Sequence, residues 1–172
     1  IKMINKIKLD LKRNGLNGWI SINFLKDRRA RFIILLRIVN SIYNRKPILF
    51  RLVNLYYSRF QRSLCNEIPP SIKLGCPIYL PHPYGIIMHP NTSIGNNCTV
   101  LQQVTIGNNT KKSIDRVAVI GDRVVISAGA KIIGPLTIGD DVIIGANAVV
   151  TKSFGSNIII AGVPAKIINS DD

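Results

Sequence analysis

The stretch IGDRVVISAGAKIIGPLTIGDDVIIGANAVV, residues 120–150, has a period of six residues. An aliphatic residue returns at every sixth position, a glycine often follows it, and a small or β-branched residue comes four positions after it. A six-residue unit fits one short strand plus one turn, and three such units close a triangular coil that stacks on the next coil. The stretch therefore predicts a mainly β chain, wound as a parallel β-helix with its aliphatic positions turned inward.

The same period extends over most of residues 68–150. It slips by two residues after Ile86 and is interrupted after Ile106. The positions predicted to point inward are all apolar: Ile68, Leu74, Leu80, Ile86, Met88, Ile94, Val100, Ile106, Ile120, Ile126, Ile132, Ile138, Ile144 and Val150. We therefore assign residues 67–168 to a β-helix domain and residues 169–172 to a tail.

Residues 1–66 have the apolar spacing of helices. One stripe at helical spacing consists of Phe32, Leu35, Leu36, Val39 and either Ile42 or Tyr43. Pro47 breaks this stripe, and a second helical run follows it. The residues before the stripe predict a weaker helix followed by a turn near Gly15 and Gly18. The β-helix is thus preceded by a small α-helical segment.

The positive charge of the chain is concentrated in this helical segment. The formal net charge is +14, and residues 1–66 hold 15 lysines and arginines against Asp10 and Asp27. Two interpretations stay open: a small cap with a solvated basic face, or a basic amphipathic surface that rests on an anionic membrane. We find no recognised nucleic-acid motif and predict no nucleic-acid partner.

The composition excludes several classes of protein. With 47 % hydrophobic and 19 % charged residues, the chain is not expected to be disordered. Cys65, Cys76 and Cys98 have neither zinc nor redox spacing, so we expect free thiols in a reducing compartment. We identify no signal peptide and no apolar run of about 20 residues that would span a membrane. The expected location is cytoplasmic and, in the lipid interpretation, peripheral at the inner face of a membrane.

Three further stretches carry a resemblance to a known family. The repeat closes with AGVPAKI, residues 161–167, and resembles the hexapeptide-repeat acyltransferases, which fold as left-handed β-helices. The segments EIPPSIKLGCPIYLPHPYGIIM, residues 67–88, and LQQVTIGNN, residues 101–109, resemble the serine acetyltransferase branch. They look closest to its exopolysaccharide members, such as the colanic acid acetyltransferases. The resemblance implies left-handed winding, acetyl-CoA as co-substrate, and a homotrimer with sites between its subunits.

The resemblance also implies a catalytic pair. Acyl transfer to a hydroxyl needs a base close to that hydroxyl and a group that orients the base. An imidazole suits the base, because it changes its charge near neutral pH. The matching base is His82, and the matching carboxylate is Glu67, fifteen residues earlier. Because this separation is close to one coil, we expect the two side chains to meet across adjacent coils, although the family has an aspartate in place of Glu67.

The second histidine, His89, matches no catalytic position of the family. We expect it either at the surface or in contact with the acceptor. A metal pair with His82 is not predicted, because the β-helix zinc site of the γ-class carbonic anhydrases uses three histidines and this chain has two. We therefore predict no metal.

The interruption at residues 107–116 predicts a loop extruded from the coil, and such loops often carry function. In serine acetyltransferases the matching loop ends Asp-Arg-His-Pro, and its histidine helps to bind serine. Here that position is Val117, and Pro81 replaces the aspartate that precedes the catalytic histidine. Because lost polar contacts weaken binding, these positions favour an acceptor other than serine. The candidate acceptor-binding residues are His89, Gln102, Gln103 and Arg116.

Acetyl-CoA is expected in a groove between neighbouring β-helices, where the family binds it mostly through the backbone of exposed turns. The small residues of those turns are Ser127, Ala128, Gly129, Gly145 and Ala146. Tight turns need small residues in any case, and the two interpretations coexist. We expect Lys131, Lys152 and Lys166 to meet the CoA phosphates, and Gly162 to lie near the adenine.

These features predict an O-acetyltransferase that uses acetyl-CoA. The predicted acceptor is a hydroxyl of a sugar in a surface polysaccharide or in its lipid-linked precursor. It attacks the thioester directly, because no cysteine occupies a nucleophile position of the family. Two alternatives stay open: a serine O-acetyltransferase of cysteine biosynthesis, and a non-catalytic β-helix scaffold or lipid-binding module.

Overall fold

The structure is a computed structural model that describes residues 2–17, 20–109 and 115–168. Its helices are α1 (Met3–Arg13), α2 (Ile20–Lys26), α3 (Arg28–Ile42) and α4 (Pro47–Arg62). Its strands are β1 (Lys73–Leu74), β2 (Ile87–Met88), β3 (Ser93–Ile94), β4 (Thr99–Val100), β5 (Thr105–Gly107), β6 (Val119–Ile120), β7 (Val125–Ile126), β8 (Lys131–Ile133), β9 (Thr137–Ile138), β10 (Ile143–Ile144), β11 (Val149–Val150), β12 (Ile159–Ala161) and β13 (Lys166–Ile168). The strands have two or three residues each, as six-residue units require.

Helices α3 and α4 begin where local chemistry favours them, and the predicted apolar stripe is buried in α3. α3 follows Asp27, whose carboxylate accepts hydrogen bonds from the backbone N–H groups of Arg29 (2.7 Å) and Ala30 (3.2 Å). Burial raises the pKa of the Asp27 carboxyl, but a hydrogen bond from the Arg29 guanidinium, together with these backbone bonds, outweighs it and holds this pKa below its ordinary value. α4 begins at Pro47, where a missing N–H leaves no helical bond unmade. Within the described ranges, no helix has the length and apolar character that a membrane crossing requires.

The strands form three sheets, one on each side of a triangular coil. Sheet I has the strand order β1-β3-β6-β9, sheet II has β4-β7-β10-β12-β13, and sheet III has β2-β5-β8-β11. Neighbouring strands in a sheet belong to successive coils and are parallel, except that β13 folds back antiparallel on β12. This arrangement confirms the predicted fold class, a mainly β chain wound as a parallel β-helix and preceded by α-helices.

The interior of the coil consists of the residues that the period predicted to point inward, and all of them are buried. In sheet II, for example, Val100, Ile126 and Ile144 align across adjacent coils. Positions four residues after the aliphatic ones, such as Cys98 and Ala130, are buried as well. Removal of these stacked apolar side chains from water stabilises strands that are individually very short.

The coils differ in length, and the differences mark the candidate site. Ile87 pairs with Thr105 in sheet III, an advance of 18 residues. Glu67 pairs with Ile87, an advance of 20 residues, because the turn that contains His82 is two residues longer. Thr105 pairs with Lys131, an advance of 26 residues, because the chain between β5 and β6 is longer than in the other coils. The predicted slip and the predicted interruption of the repeat are therefore both present.

Two glycines show why a glycine follows the inward aliphatic residue. A Cβ on Gly121 would collide with Asp140, and a Cβ on Gly139 would collide with Ser156. The Asp140 carboxylate accepts a hydrogen bond from the backbone N–H of Asp122 in the preceding coil (2.8 Å). The glycines thus make room for side chains that join one turn to the next.

The helices cover the open end of the first coil, which has no earlier coil to pair with. Asn14 donates from Nδ2 to the carbonyl oxygen of Ile78 (2.9 Å) and accepts at Oδ1 from the N–H of Leu80 (2.9 Å). Arg37 donates from Nη1 to the carbonyl oxygen of Leu74 (3.0 Å). Side chains of the helices therefore satisfy an edge that would otherwise be exposed to pairing with other chains.

A buried ion pair lies at this junction. Arg37 Nε is 2.5 Å from Asp10 Oδ2, and the two side chains are 2 % and 0 % exposed. Asp10 also accepts a hydrogen bond from the N–H of Ile78 (2.8 Å). One hydrophobic cluster continues from Phe32 in α3 to Ile68 and into the coils. The domain boundary after residue 66 stays a prediction, since helices and coils share this cluster.

Candidate active site

The candidate site lies along one of the three edges of the triangular β-helix, which we call the histidine corner. It consists of the stacked turns between sheets II and III, namely residues 81–86, 101–104, 127–130 and 145–148. Backbone hydrogen bonds join these turns: the N–H of Gln103 donates to Tyr84 (2.9 Å), that of Gly129 to Gln102 (3.0 Å), and that of Asn147 to Ala128 (2.9 Å). The corner is therefore a continuous column with His82 in its first turn.

His82 is presented to solvent between two buried prolines, Pro81 and Pro83. Its carbonyl oxygen accepts a hydrogen bond from the N–H of Tyr84 (2.8 Å), which tightens the turn. Gly85 completes the turn with a φ of +66°, a conformation that favours glycine. The imidazole is thus held on a constrained backbone and is open to a ligand, as a general base must be.

Asn66 is a residue of the site that the sequence analysis missed. Its side chain is buried and donates from Nδ2 to the carbonyl oxygen of Pro83 (2.8 Å). Its Oδ1 accepts a hydrogen bond from the N–H of Ile86 (2.8 Å). Asn66 therefore holds both ends of the longer turn around His82. The one signal in the sequence was that an asparagine, a residue common in turns, directly precedes Glu67.

Glu67 lies on the coil before β2, at the start of sheet III. Its N–H donates to Ile86 (2.8 Å), its carbonyl accepts from Met88 (2.8 Å), and its carboxylate is exposed. Glu67 thus aligns with Ile87, five residues after His82, because the intervening coil has 20 residues. Among the described residues, the carboxylate of Glu67 and the imidazole of His82 share neither a hydrogen bond nor an ion pair. Its role in orienting His82 stays a prediction.

His89 lies on a different edge of the triangular β-helix, in the turn that follows β2. Its Nδ1 accepts a hydrogen bond from the backbone N–H of Asn91 (3.2 Å), so the neutral ring carries its proton on Nε2. The two histidines therefore stand on opposite borders of sheet III and are not brought together within one chain. No cluster of three metal-ligating His, Cys, Asp or Glu side chains occurs in the part of the chain that the structure describes.

The other acceptor candidates are divided between these two borders. Gln102 and Gln103 lie in the histidine corner, one coil below His82. Gln102 Oε1 is shielded from solvent and has no hydrogen-bond partner within the described ranges, whereas the Gln103 side chain is exposed. Arg116 lies shortly before β6, on the border that carries His89, and its side chain is exposed. Residues 110–114 of the predicted loop lie outside the described residues.

The small residues predicted to bind CoA share the histidine corner. Ser127, Ala128 and Gly129 form its third turn, and Gly145 and Ala146 belong to the fourth. A Cβ on Gly129 would collide with the side chain of Asn147, so packing of the turns also requires this glycine. The structural and the ligand-binding interpretations of these residues therefore both remain.

Gly162 and the three lysines have different surroundings. The carbonyl oxygen of Gly162 accepts from Val149 (3.0 Å), which places it at the lower end of the histidine corner. Lys131 donates from Nζ to the carbonyl oxygen of Gln103 (2.6 Å), so its ammonium lies against the corner. Lys152 lies on the border between sheets III and I, 5.4 Å from the ring of Phe154, and Lys166 lies on β13. The structure thus brings Lys131 and Gly162, but not Lys152, to the corner.

A cavity of about 1070 Å³ lies elsewhere, among α1, α2 and α3. It is lined mainly by apolar side chains, including Leu11, Phe24 and Ile38, and by none of the predicted site residues. The chemistry-bearing residues are therefore on an open edge of the β-helix and not in this cavity.

Comparison with known proteins gives the class to which this site belongs. A family model described as "Bacterial transferase hexapeptide (six repeats)" matches residues 118–152. A serine acetyltransferase of Staphylococcus aureus is 36 % identical over 134 residues, which cover 78 % of this chain and 62 % of the relative. One of Mycobacterium tuberculosis is 35 % identical over 119 residues, 69 % of this chain and 52 % of the relative. The chain thus spans between half and two thirds of the length of these relatives.

Solved structures agree with these matches. The serine acetyltransferase of Neisseria gonorrhoeae superposes with a TM-score of 0.82 at 29 % identity, over 97 % of this chain and 66 % of that one. That of Brucella abortus has a TM-score of 0.78 at 30 % identity, over 96 % of this chain and 67 % of that one. A serine acetyltransferase in complex with CoA has a TM-score of 0.78 at 26 % identity, over 96 % of this chain and 69 % of that one. This chain belongs to the hexapeptide-repeat acyltransferase family.

The comparisons correct the predicted acceptor. The relatives and the structural neighbours are serine acetyltransferases, so the prediction of a sugar acceptor in polysaccharide biosynthesis is wrong. Nothing in them supports the exopolysaccharide branch, a glycan partner or a membrane surface. The prediction relied on Pro81 and Val117 as lost serine contacts. Both side chains are buried in the coil, so their apolar character serves packing and says little about the acceptor.

Proposed function

We propose that this chain is a serine acetyltransferase, which transfers the acetyl group of acetyl-CoA to the hydroxyl of serine. The observation that carries the proposal is its similarity to serine acetyltransferases, by sequence over 78 % of the chain and by structure over 97 %. The position of His82 on an exposed and constrained turn supports it, because acyl transfer to a hydroxyl needs an accessible base.

In this proposal His82 accepts the proton of the serine hydroxyl. The hydroxyl oxygen bonds to the carbonyl carbon of the thioester, the carbon–sulfur bond breaks, and the proton passes to the CoA thiolate. Glu67 stabilises the imidazolium, and Asn66 positions the turn. No acyl-enzyme forms, and burial raises the pKa of the Cys76 and Cys98 thiols, which makes them poor nucleophiles.

Acetyl-CoA fits the histidine corner as a substrate. Ser127, Ala128 and Ala146 have short side chains that are not buried, so the backbone of these turns is accessible. The unpartnered Oε1 of Gln102 beside them is a polar atom that a bound molecule or a neighbouring subunit would satisfy. The acetyl-CoA thioester supplies the activated acyl group, while Lys131 and Gly162 extend the site along the column.

The same proposal includes a homotrimer with a cytoplasmic location. Within one chain the candidate groups lie on the two opposite borders of sheet III. In a trimer, the border with His89 and Arg116 of one copy would lie beside the histidine corner of its neighbour. Sheet II offers an apolar outward surface for that contact, formed in part by Val125, Ile143 and Ile159. Three free cysteines are compatible with a reducing cytoplasm.

The first experiment follows free thiol release from acetyl-CoA by the purified full chain, with serine and, separately, with a panel of nucleotide sugars. We expect thiol release when serine is the acceptor and none when the acceptor is a nucleotide sugar. His82→Ala should lower the rate about 100-fold or more, because it removes the general base. Lys73→Ala is the matched control, since Lys73 is an exposed residue of the same coil on sheet I.

Each other outcome has a definite meaning. Release with a sugar and not with serine would overturn the acceptor but keep the acetyltransferase. Full activity of His82→Ala would remove His82 as the base. If no acceptor supported thiol release and calorimetry showed no CoA binding, the β-helix would be a scaffold without catalysis.

A further inference from the structure

Helix α4 is apolar on two sides, and one of them has no partner within the described residues. On its inner side Tyr57 is fully buried, and Phe50, Val53 and Phe60 pack against the core. The outer side exposes large apolar side chains over two turns, namely Ile48 (77 %), Leu49 (44 %), Leu52 (67 %), Leu55 (60 %) and Tyr56 (47 %). A contiguous exposed apolar surface of this kind usually marks an interaction site.

The same outer surface is strongly basic. Its exposed cations are Arg45, Lys46, Arg51, Arg59 and Arg62. None of these five side chains forms an ion pair with another described residue. Residues 28–66 contain nine lysines and arginines and no acidic residue. The surface therefore matches, in charge and in apolar character, an anionic partner that also accepts apolar side chains.

The helix is held in place with this side outward. Tyr57 donates from its hydroxyl to the carbonyl oxygen of Ile68 (2.7 Å), and Gln61 Oε1 accepts from the N–H of the same residue (3.0 Å). Both contacts join α4 to the first coil. Because the inner side is fixed, α4 cannot turn to bury Leu52 and Leu55 against its own chain.

A symmetric contact between the α4 helices of two copies is a poor use of this surface. Apposition of two α4 helices would bury the leucines, but it would also bring the five cations of one copy against the five of the other. Like charges brought together without counter-ions oppose such a contact. An anionic bilayer supplies both negative headgroups for the arginines and an apolar boundary for the leucines. Arginine stems can lie along the apolar layer while their guanidinium groups reach the phosphates.

We infer that the outer side of α4 docks on an anionic lipid membrane, with Ile48, Leu52 and Leu55 at the acyl boundary and the flanking arginines on lipid phosphates. This inference concerns where the protein resides and does not depend on the proposed acceptor. It rests on the shape and charge of α4 alone, because the comparisons say nothing of a membrane.

The test is co-sedimentation of the full chain with vesicles of phosphatidylcholine alone and of phosphatidylcholine with an equal part of phosphatidylglycerol. We expect binding to the second kind, and weaker binding as salt is added. In the double variant Leu52→Ser with Leu55→Ser, the affinity for these vesicles should fall at least about tenfold, because the apolar contact is lost. Arg51→Gln with Arg59→Gln should weaken binding to the anionic vesicles as well.

Val119→Ser is the matched control, since Val119 is half exposed on sheet I in a later coil and should bind like the parent. Both leucines are exposed, so circular dichroism should be the same for parent and variants. Absence of binding to the anionic vesicles, or equal binding by the leucine variant, would overturn the inference. A smaller particle for the leucine variant in light scattering without vesicles would assign the surface to contact between copies instead. None of these readouts uses acetyl transfer, so this inference and the proposed function fail separately.

Discussion

At the scale of single residues, the turn that carries His82 depends on a side chain from outside that turn. Asn66 uses both ends of its amide on this turn, where it donates to Pro83 and accepts from Ile86. A turn lengthened by two residues has more conformations to restrict than the turns stacked below it. The position of the candidate base is therefore set by a polar residue that has no catalytic chemistry of its own.

Replacement of Asn66 by alanine tests this positioning role. Asn66→Ala leaves the buried Pro83 carbonyl and the Ile86 N–H without their partner, and we expect kcat to fall about tenfold or more as the imidazole loses its position. The affinity for CoA should change little, because Ser127 and Ala146 belong to lower turns with their own backbone bonds. Steady-state kinetics and calorimetry with CoA measure the two effects separately.

Asn66→Asp is the matched variant. It keeps the acceptor for the Ile86 N–H and loses the donor to Pro83, so an intermediate kcat is expected. If Asn66→Ala melted at a lower temperature but kept its kcat, the side chain would serve stability alone and the positioning role would be abandoned.

At the scale of elements, the start of α3 is determined by one carboxylate. Asp27 accepts from two backbone N–H groups at the N-terminus of that helix. Burial raises the pKa of its carboxyl, but hydrogen bonds from the Arg29 side chain and from these two N–H groups bring it below its ordinary value. The helical period of the sequence predicted the buried side of α3. It did not predict the capping residue, because apolar spacing carries no information on the unpaired N–H groups of a first turn.

Asp27→Ala should lower the free energy of unfolding by about 1 kcal/mol at neutral pH, as the loss of a helix cap usually does. Because the folded pKa lies below the unfolded one, this contribution is complete above the unfolded pKa. It is lost as the pH falls through the folded pKa, so the difference between parent and variant should shrink below about pH 4. Urea titrations at several pH values measure it.

The control for this titration is Asp27→Asn, which keeps a cap acceptor but cannot titrate. It should be close to the parent at neutral pH and should lack the acid-dependent change. An Asp27→Ala difference that is constant from neutral to acid pH would contradict the capping account.

At the scale of the whole molecule, the helices and the β-helix are joined through the open edge of the first coil. Asp10 and Arg37 form a buried pair there, and both also bond to the backbone of the coil. The contact connects residues that are more than 60 positions apart, as in the pairing of Asp10 with Ile78. The first coil is therefore stabilised by the helical segment, and the two parts are expected to unfold together.

Arg37→Met should destabilise the chain by roughly 3–5 kcal/mol, because it leaves the Asp10 carboxylate buried without its counter-charge. Arg29→Met is the control: its ion pair with Asp27 is partly exposed, and it should cost about 1 kcal/mol or less. Urea unfolding followed by circular dichroism measures both. An equal loss of unfolding free energy in the two variants would show that burial does not make the Arg37 pair more important for stability than the partly exposed Arg29 pair.

The six-residue repeat was enough to predict the β-helix and its inward residues, and the family resemblance identified His82 as the candidate base. The six-residue repeat of the sequence matches the strand-and-turn unit of the structure. Each aliphatic residue of the repeat is therefore predicted to point inward, whatever its neighbours are. The family resemblance predicted the acyltransferase family, but two apolar positions led to the wrong acceptor. Val117 shows why: its burial against the coil is a packing fact that sequence letters do not contain.

Which residues meet became clear from the three-dimensional contacts. It placed His82 and His89 on opposite borders of sheet III, aligned Glu67 with Ile87, and assigned Asn66 to the His82 turn. It also left the outer side of α4 uncovered. The physical reason is that periodicity states which way a side chain points but not what lies there. That is decided by the length of each coil and by contacts between residues far apart in the chain.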